Sequence, residues 1–369
     1  MDSPRRAPQF IRHFTGNFDR NLPAIPQPTH NPPANESTVM SAFRAFRINQ
    51  TDGKIAAAFE SLTVNDLTAG EVVIRVSWSG INFKDALAAT GRGKILRQYP
   101  LNGGIDLAGT VMQSADPRHR EGDQVLVCSA GLSETVDGGY SEVARVAADS
   151  VVPLPPGLSA REAMALGTAG FTAALAVSRM QHNGLRPDMG PVVVTGASGG
   201  VGSVAISVLA ALGYSVTAFT GKTAQHDYLR DLGASDFIDR HSAEMGQRPL
   251  EKALWGGAVD NAGGRTLSWL TRTVRPRGSI ASIGLVEDHA FSTSVMPFIL
   301  RGVSLLGVNV LEITVDERDT LWARLGDDLK PPQLARIVTR EVAFDDLPGA
   351  FDGYFDGSHF GRAVVKIGD

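Results

Sequence analysis

Apolar and polar positions divide the chain into two regimes. From Glu71 to Ser79 they alternate, with Val72, Ile74, Val76 and Trp78 on one face and Val73, Arg75, Ser77 and Ser79 on the other. That period of two predicts a strand with one face on a core. Gly80 and Ile81 then turn into a predicted helix, for which Asn82 suits the N-cap and Asp85 the first turn. Further β units begin at Gly104, Glu121 and Gly138; Val151–Gly157, rich in proline, reads as a linker, and Ala160–Met180 as a helix.

At Val192 the pattern changes. Three valines between Pro191 and Gly196 predict a fully buried strand of a parallel sheet, and Gly199, Gly200 and Gly202 open a small, apolar helix over Val201–Leu212. Strand and helix patterns then alternate: strand Ser215–Phe219, helix Ala224–Leu232, strand Asp236–Ile238, helix Ala243–Leu254, strand Ala258–Asn261, helix Arg265–Val274, and strands Ser279–Ile283 and Val303–Gly307. The expectation is an α/β protein: a doubly wound, Rossmann-type parallel sheet of six strands plus a β-rich domain. Two closing β segments, Val342–Phe344 and Ala363–Ile367, are assigned back to the β-rich part. The expected domains are 40–163 and 309–369 around a central 164–308. Residues 1–39 carry seven prolines and neither period, which predicts a disordered extension, or a misplaced start with Met40 as the working initiator.

Composition narrows the classes. Of 369 residues 43% are hydrophobic and 20% charged, with a formal net charge of −4, so neither nucleic acid nor an anionic membrane is expected as a partner. From Met189 to Gly221 no residue is charged, but four glycines between 196 and 202 favour a buried strand and helix over a membrane span. Without a signal-peptide core, a cytoplasmic location is expected. Cys128 is the only cysteine, which excludes an internal disulfide and any multi-thiolate metal site. No two histidines fall three to five residues apart, so no metal is expected.

The glycine turn is the first candidate site. A strand, a glycine turn and a helix N-terminus present backbone N–H groups to an anion, here from Ser198, Gly199, Gly200 and Val201. In G-x-G-x-x-G spacing the places fall on Ala197, Gly199 and Gly202, so the first glycine is an alanine. An NAD-preferring fold puts a carboxylate on the ribose roughly 20 residues further on. This chain has Phe219-Thr220-Gly221-Lys222 there, which favours the 2′-phosphate of NADPH. Arg240 and Leu285 lie at other strand ends of the same sheet.

Gly122-Asp123-Gln-Val, Gly167-Thr-Ala-Gly-Phe-Thr-Ala173, Leu232-Gly-Ala234 and the Val201-Gly202 turn resemble the medium-chain dehydrogenase/reductase superfamily, with its GroES-like catalytic domain. Asn82-Phe-Lys-Asp-Ala86-Leu, Gly91-Arg-Gly-Lys-Ile95, Gly104-Ile-Asp106, Thr195–Gly202 and Val295–Arg301 resemble more narrowly its NADPH-dependent acryloyl-CoA reductase branch, which includes quinone oxidoreductase-like members. The resemblance runs from about Met40 to Lys366. It implies cofactor contacts from Phe83, Thr168, Thr172 and Arg362. It also implies a zinc-free site, since Asp106 stands where the zinc alcohol dehydrogenases have a His-Glu pair. One departure is Phe83, where the branch usually has a tyrosine thought to lie against the nicotinamide. Enoyl reductase domains of polyketide synthases resemble this chain in carrying Asn-Phe-Arg-Asp.

The implied chemistry is hydride transfer from NADPH to the β-carbon of a short 2-enoyl-CoA such as acryloyl-CoA, then protonation at the α-carbon. Asn82 is the first candidate donor to the enolate oxygen and Lys84 the second; Asp85 and Asp106 would orient groups or relay protons. Alternatives are a broad quinone or enone reductase and a catalytically silent NADPH-binding protein. Arg92, Lys94 and Arg97 stand in a stretch without acids, either a solvated basic loop or a CoA-phosphate site. The apolar strand Val303–Val308, last in order, predicts a homodimer through that edge.

Overall fold

The computed structural model describes residues 42–368. The 1–39 extension and the Met40 start lie outside them. Six strands form one all-parallel sheet in the order Asp236–Asp239, Val216–Thr220, Val192–Thr195, Trp255–Asp260, Val274–Ser282, Ser304–Gly307. Val192, Val193 and Val194 run through its middle with no solvent exposure, as an uninterrupted apolar run requires.

The expected helix over Ala243–Leu254 is absent: residues 240–254 form turns and irregular chain. Pro249 cannot donate an N–H and its ring would clash with the preceding turn, and Gly246 weakens the segment further. Glu251 instead holds the loop, accepting from the Arg248 N–H at 2.8 Å and from its guanidinium at 2.7 and 3.0 Å.

The β-rich lobe holds a seven-stranded sheet, ordered Val338–Ala343, Arg362–Lys366, Val72–Ile81, Asp106–Ser114, Gln124–Cys128, Val152–Pro153, with Val143–Val146 also pairing Val72–Ile81. The β unit expected from Gly138 begins only at Val143. Gly138 and Gly139 lie against the backbone of Gly103, Gly104 and Asp106 instead. Phe43–Thr51, Lys54–Leu62 and Leu101–Asn102 make a third, small sheet. Near its C-terminus the chain returns to this lobe: Arg362–Lys366 pairs antiparallel with Val72–Ile81, setting Ala363 opposite Ile81. That register carries Arg362 to the entrance of helix α1 (Phe83–Thr90).

Helix α2 (Ala160–His182) joins the two lobes. Ser159 caps it, its Oγ accepting from the Glu162 N–H at 3.2 Å while Glu162 accepts from the Ser159 N–H at 2.9 Å. By length and composition α2 could cross a membrane, but 83% of its most apolar window is buried inside the protein. It is not one straight helix: Gly167 breaks it at φ 51°, ψ −156°, a region open essentially to glycine alone. Helix α3 (Gly200–Ala211) follows the glycine turn.

Candidate active site between the two lobes

The break at Gly167 starts a second helical run at Thr168, whose N–H lies 3.0 and 3.1 Å from the two oxygens of Asp106. The Thr168 hydroxyl donates to Asp106 at 2.6 Å and lies 2.9 Å from the Ser129 hydroxyl. A fully buried carboxylate thus sits at a helix start, where backbone dipoles favour negative charge. A Cβ at Gly167 would stand 2.5 Å from Asp106 Oδ2 and 2.7 Å from Arg362 Nη2, so only glycine fits.

Asn82, Asp85, Asp106 and Arg362 form one buried network. Asn82 donates from Nδ2 to Asp106 at 2.7 Å and to Asp85 at 3.2 Å, and its Oδ1 accepts from Arg362 Nη1 at 2.8 Å. Both N–H groups of its amide are therefore engaged inside the protein. The Asp85 carboxylate returns to the Asn82 N–H at 2.8 Å and accepts from the Ile105 N–H at 2.9 Å, so Asp85 both caps α1 and holds the neighbouring loop. Burial first, then the Asp106 charge, pushes Asp85 up to about 7. Arg362 also donates to the carbonyls of Ala165, Ile81 and Met164, at 3.0, 3.1 and 3.3 Å, and lies 3.7 Å from Asp106. Its fork is committed to the lobe junction.

Lys84 differs from these. Its side chain is 35% exposed and pairs with Glu134, on the loop that also carries Ser129. Of the four catalytic candidates it alone presents a partly exposed polar tip. Phe83, half-buried beside it, packs against Phe355 with ring centroids 5.8 Å apart. Cys128 lies next to Asp106, and burial pushes its thiol well above the ordinary range, away from nucleophilic use.

On the parallel sheet, Gly196 takes φ 57° and supplies the turn that the sequence pattern assigns to position 197, which is why alanine is tolerated there. A Cβ at Gly202 would meet Gly196 O at 2.5 Å and Ala197 O at 2.7 Å, the close strand–helix approach expected of the last glycine. Gly199, the N-cap of α3, has no capping side chain, and no acid lies in the first turn. The first N–H groups of α3 have no intrahelical partner and no capping side chain, so a pyrophosphate fits there. The Ser198 carbonyl accepts from the Gly361 N–H at 2.8 Å and ties this turn to the Arg362 segment.

At the end of Val216–Thr220, a Cβ on Gly221 would stand 2.5 Å from His241 Nε2 and 2.6 Å from Arg240 Nε. Glycine lets these basic groups close on the strand end beside Lys222. Lys222 Nζ donates to the His359 carbonyl, and burial, then Arg240, lowers its pKa. Thr220 Oγ1 accepts from the Lys222 N–H at 3.1 Å. A doubly negative phosphate fits this corner, where a carboxylate would be expected for NAD. Thr172 turns its hydroxyl to the Thr168 carbonyl at 2.6 Å, and Leu285 stands 36% exposed past the end of its strand.

Several residues escaped sequence reasoning. Asp260 accepts from Thr195 Oγ1 at 2.8 Å and from the Gly263 N–H at 2.9 Å, fixing two adjacent strand ends. Its place at a strand end, next to Asn261, was the available signal. Glu134, Ser129, Tyr354 and His359 carried none. Tyr354 donates to the Ile81 carbonyl at 2.9 Å and stacks on His359 at 4.0 Å, while burial, Arg362 and Lys222 bring His359 down to about 4.

A parallel sheet with an uncapped glycine turn and a basic strand end, joined to a β-rich lobe through a buried polar network, defines a two-lobed dinucleotide-dependent oxidoreductase. Residues 68–156 match the family model for the alcohol dehydrogenase GroES-like domain and residues 200–325 that for the zinc-binding dehydrogenases. The chain is 46% identical over 88% of its length to the quinone oxidoreductase-like protein YhfP of Bacillus subtilis, covering 99% of it. To acrylyl-CoA reductase AcuI of Ruegeria pomeroyi it is 43% identical over 86% of its length and 97% of that protein. The crystal structure of the yhdH oxidoreductase of Salmonella enterica in complex with NADP superposes with a TM-score of 0.85 at 45% identity, covering 88% of this chain and all of that one. The chain belongs to the medium-chain dehydrogenase/reductase superfamily, in the branch that holds the acrylyl-CoA reductases and YhfP.

The zinc named by one family model does not fit these residues. Asp106 is enclosed by Asn82, Thr168 and the Arg362 cation, and among the described residues no group of three His, Cys, Asp or Glu could hold a metal ion.

Proposed function

We propose that this protein is an NADPH-dependent reductase of short 2-enoyl-CoA thioesters such as acryloyl-CoA. The observation that carries the reading is the strand end at Thr220-Gly221-Lys222, which offers a lysine and no acid of its own, in a chain 43% identical over 86% of its length to an acrylyl-CoA reductase. When bound, NADPH supplies a hydride for the β-carbon of the substrate. The α3 N-terminus, with Ser198, Gly199, Gly200 and Val201, would hold the pyrophosphate, and Thr220, Gly221, Lys222 and Arg240 would receive the 2′-phosphate. Phe83 and Leu285 would contact the cofactor. As charge grows on the thioester oxygen, Lys84, positioned by Glu134, would donate toward it, and the α-carbon would take its proton from solvent at this partly exposed side. Such a donor is worth about 2.7–4 kcal/mol in comparable sites. Asn82, Asp85, Asp106 and Arg362 hold α1, Thr168 and the C-terminal strand in register around that point.

The 46% identity to YhfP favours a second reading, a broad quinone or enone reductase on the same NADPH site. NADPH oxidation with acryloyl-CoA, crotonyl-CoA and a quinone separates the two. Turnover of acryloyl-CoA is expected; turnover of the quinone alone selects the second reading, and turnover of none means a silent binding protein.

The finer expectations belong to the same proposal: a cytoplasmic, metal-independent homodimer. Strand Ser304–Gly307 is the edge of the parallel sheet, and beside it helix Met296–Arg301 leaves Ile299 71% and Leu300 61% exposed, a surface suited to a second copy. A monomer mass in light scattering counts against the dimer, and activity lost to a chelator and restored by zinc counts against metal independence.

A further inference from the structure

Beyond Phe83 the site continues into an aromatic and basic track, Phe355 and the Arg92 loop, that the chemistry above does not use. Phe83 packs on Phe355 at 5.8 Å, and the Arg92 guanidinium lies over the other end of that contact, 4.2 Å from the Phe355 centroid. The two steps add to 10.0 Å at most, so Arg92 stands one aromatic ring beyond the residue that follows Asn82. Gly91, with φ 66°, ends α1 and turns the loop out, and a Cβ there would meet Ile55 at 2.9 Å. On that loop Arg92, Lys94 and Arg97 are exposed, and among the described residues none of the three forms an ion pair, although the chain as a whole is net negative. Glu134, whose carbonyl accepts from the Arg97 N–H at 2.7 Å, has its carboxylate on Lys84.

We propose that Arg92, with Lys94 and Arg97 beside it, binds the phosphates of a CoA thioester whose pantetheine arm runs along Phe355 to the reacting carbons. This rests on the enoyl-CoA reading. An extended pantetheine arm is longer than the Phe83-to-Arg92 span, so phosphates attached to a thioester near Phe83 overhang the rim where these three cations stand. Phe355 offers an apolar flank to the arm and holds the Arg92 guanidinium over its ring by a cation–π contact, which orders it for a phosphate before the ligand arrives. The loop reaches Phe83 through Phe355, so it would select the carrier rather than the acyl group.

Two measurements on the full chain test this. In the first, kcat/KM is compared for acryloyl-CoA and acryloyl-pantetheine, with wild type and Arg92→Ala. The wild type is expected to favour the CoA thioester, and the preference to fall about tenfold or more in the variant and with rising salt. Arg92→Lys, which keeps charge but not the stacked fork, is expected in between. An unchanged preference in Arg92→Ala overturns the proposal. In the second, free CoA is titrated into NADP⁺-loaded protein. Binding by wild type that weakens at least tenfold in Arg92→Ala supports the site; no binding by wild type, or equal binding by both, overturns it. The second measurement needs no turnover. Failure of the enoyl-CoA reading shows as reduction of quinone and of neither thioester, whatever the CoA titration gives.

Discussion

Arg362 Nη1 donates to Asn82 Oδ1 at 2.8 Å across 280 residues of chain. This bond joins the last strand to the entrance of α1, and through the Asn82 amide to both buried carboxylates. Removing the guanidinium leaves Asp106 buried without its cation. Arg362→Ala is therefore expected to cost about 3–5 kcal/mol in urea unfolding. Arg362→Lys keeps the charge, loses the fork and should fall between. A loss below about 1 kcal/mol for Arg362→Ala would mean that the network is ornamental to the fold.

Gly167→Ala meets the same network from the helix side. The new methyl would press on Asp106 and Arg362, at a backbone conformation worth about 1–3 kcal/mol of strain to any other residue. Lower stability and lower kcat are both expected, because Thr168 loses its place on Asp106. Full activity in a folded Gly167→Ala protein would show that the α2 break is not needed.

The cofactor preference is expected to depend on Lys222. Lys222→Ala should lower the kcat/KM ratio of NADPH over NADH about tenfold, since only one of the two carries the phosphate. Lys222 also holds the His359 carbonyl. Equal losses with both cofactors would show that it acts through His359 instead.

Asp85 gives stability a pH dependence of definite sign. Its folded pKa of about 7 lies above the unfolded 3.8, so the folded protein binds the extra proton between those values. The contribution is fully present below about pH 4 and is lost as pH rises to 7, on the order of 4 kcal/mol at most. Urea midpoints of wild type and Asp85→Asn, compared at pH 5 and 8, isolate it. The wild type should lose more on going to pH 8; parallel shifts of the two proteins would refute the assignment.

Phe83 lacks the hydroxyl that the resemblance implies at this position. If the ring serves by packing, as its contact with Phe355 supports, wild type is active with acryloyl-CoA and Phe83→Tyr changes kcat little. General acid catalysis typically contributes about 10²–10⁴-fold. A hundredfold rise in Phe83→Tyr would therefore assign the lost hydroxyl an essential role.

Local physics made much of this protein readable in its residues. The alternation at Glu71–Ser79, the valine run with its glycine turn, the Asn82 and Asp85 cap and the acid-free Thr220-Gly221-Lys222 corner each depend on groups a few positions apart. Their geometry follows from strand period, helix ends and charge. The expected helix at Ala243–Leu254 failed on local grounds too, because its apolar period concealed Gly246 and Pro249. Tertiary structure alone decided which of the named side chains face outward. Asn82 and Arg362, expected at substrate and cofactor, face each other because the Ile81–Ala363 register brings their elements together. Lys84 is held by Glu134, fifty positions away, and the break in α2 matters because Asp106 waits at Thr168. A buried donor takes whichever acceptor the packed lobes bring within reach, and no pattern along the chain encodes that distance.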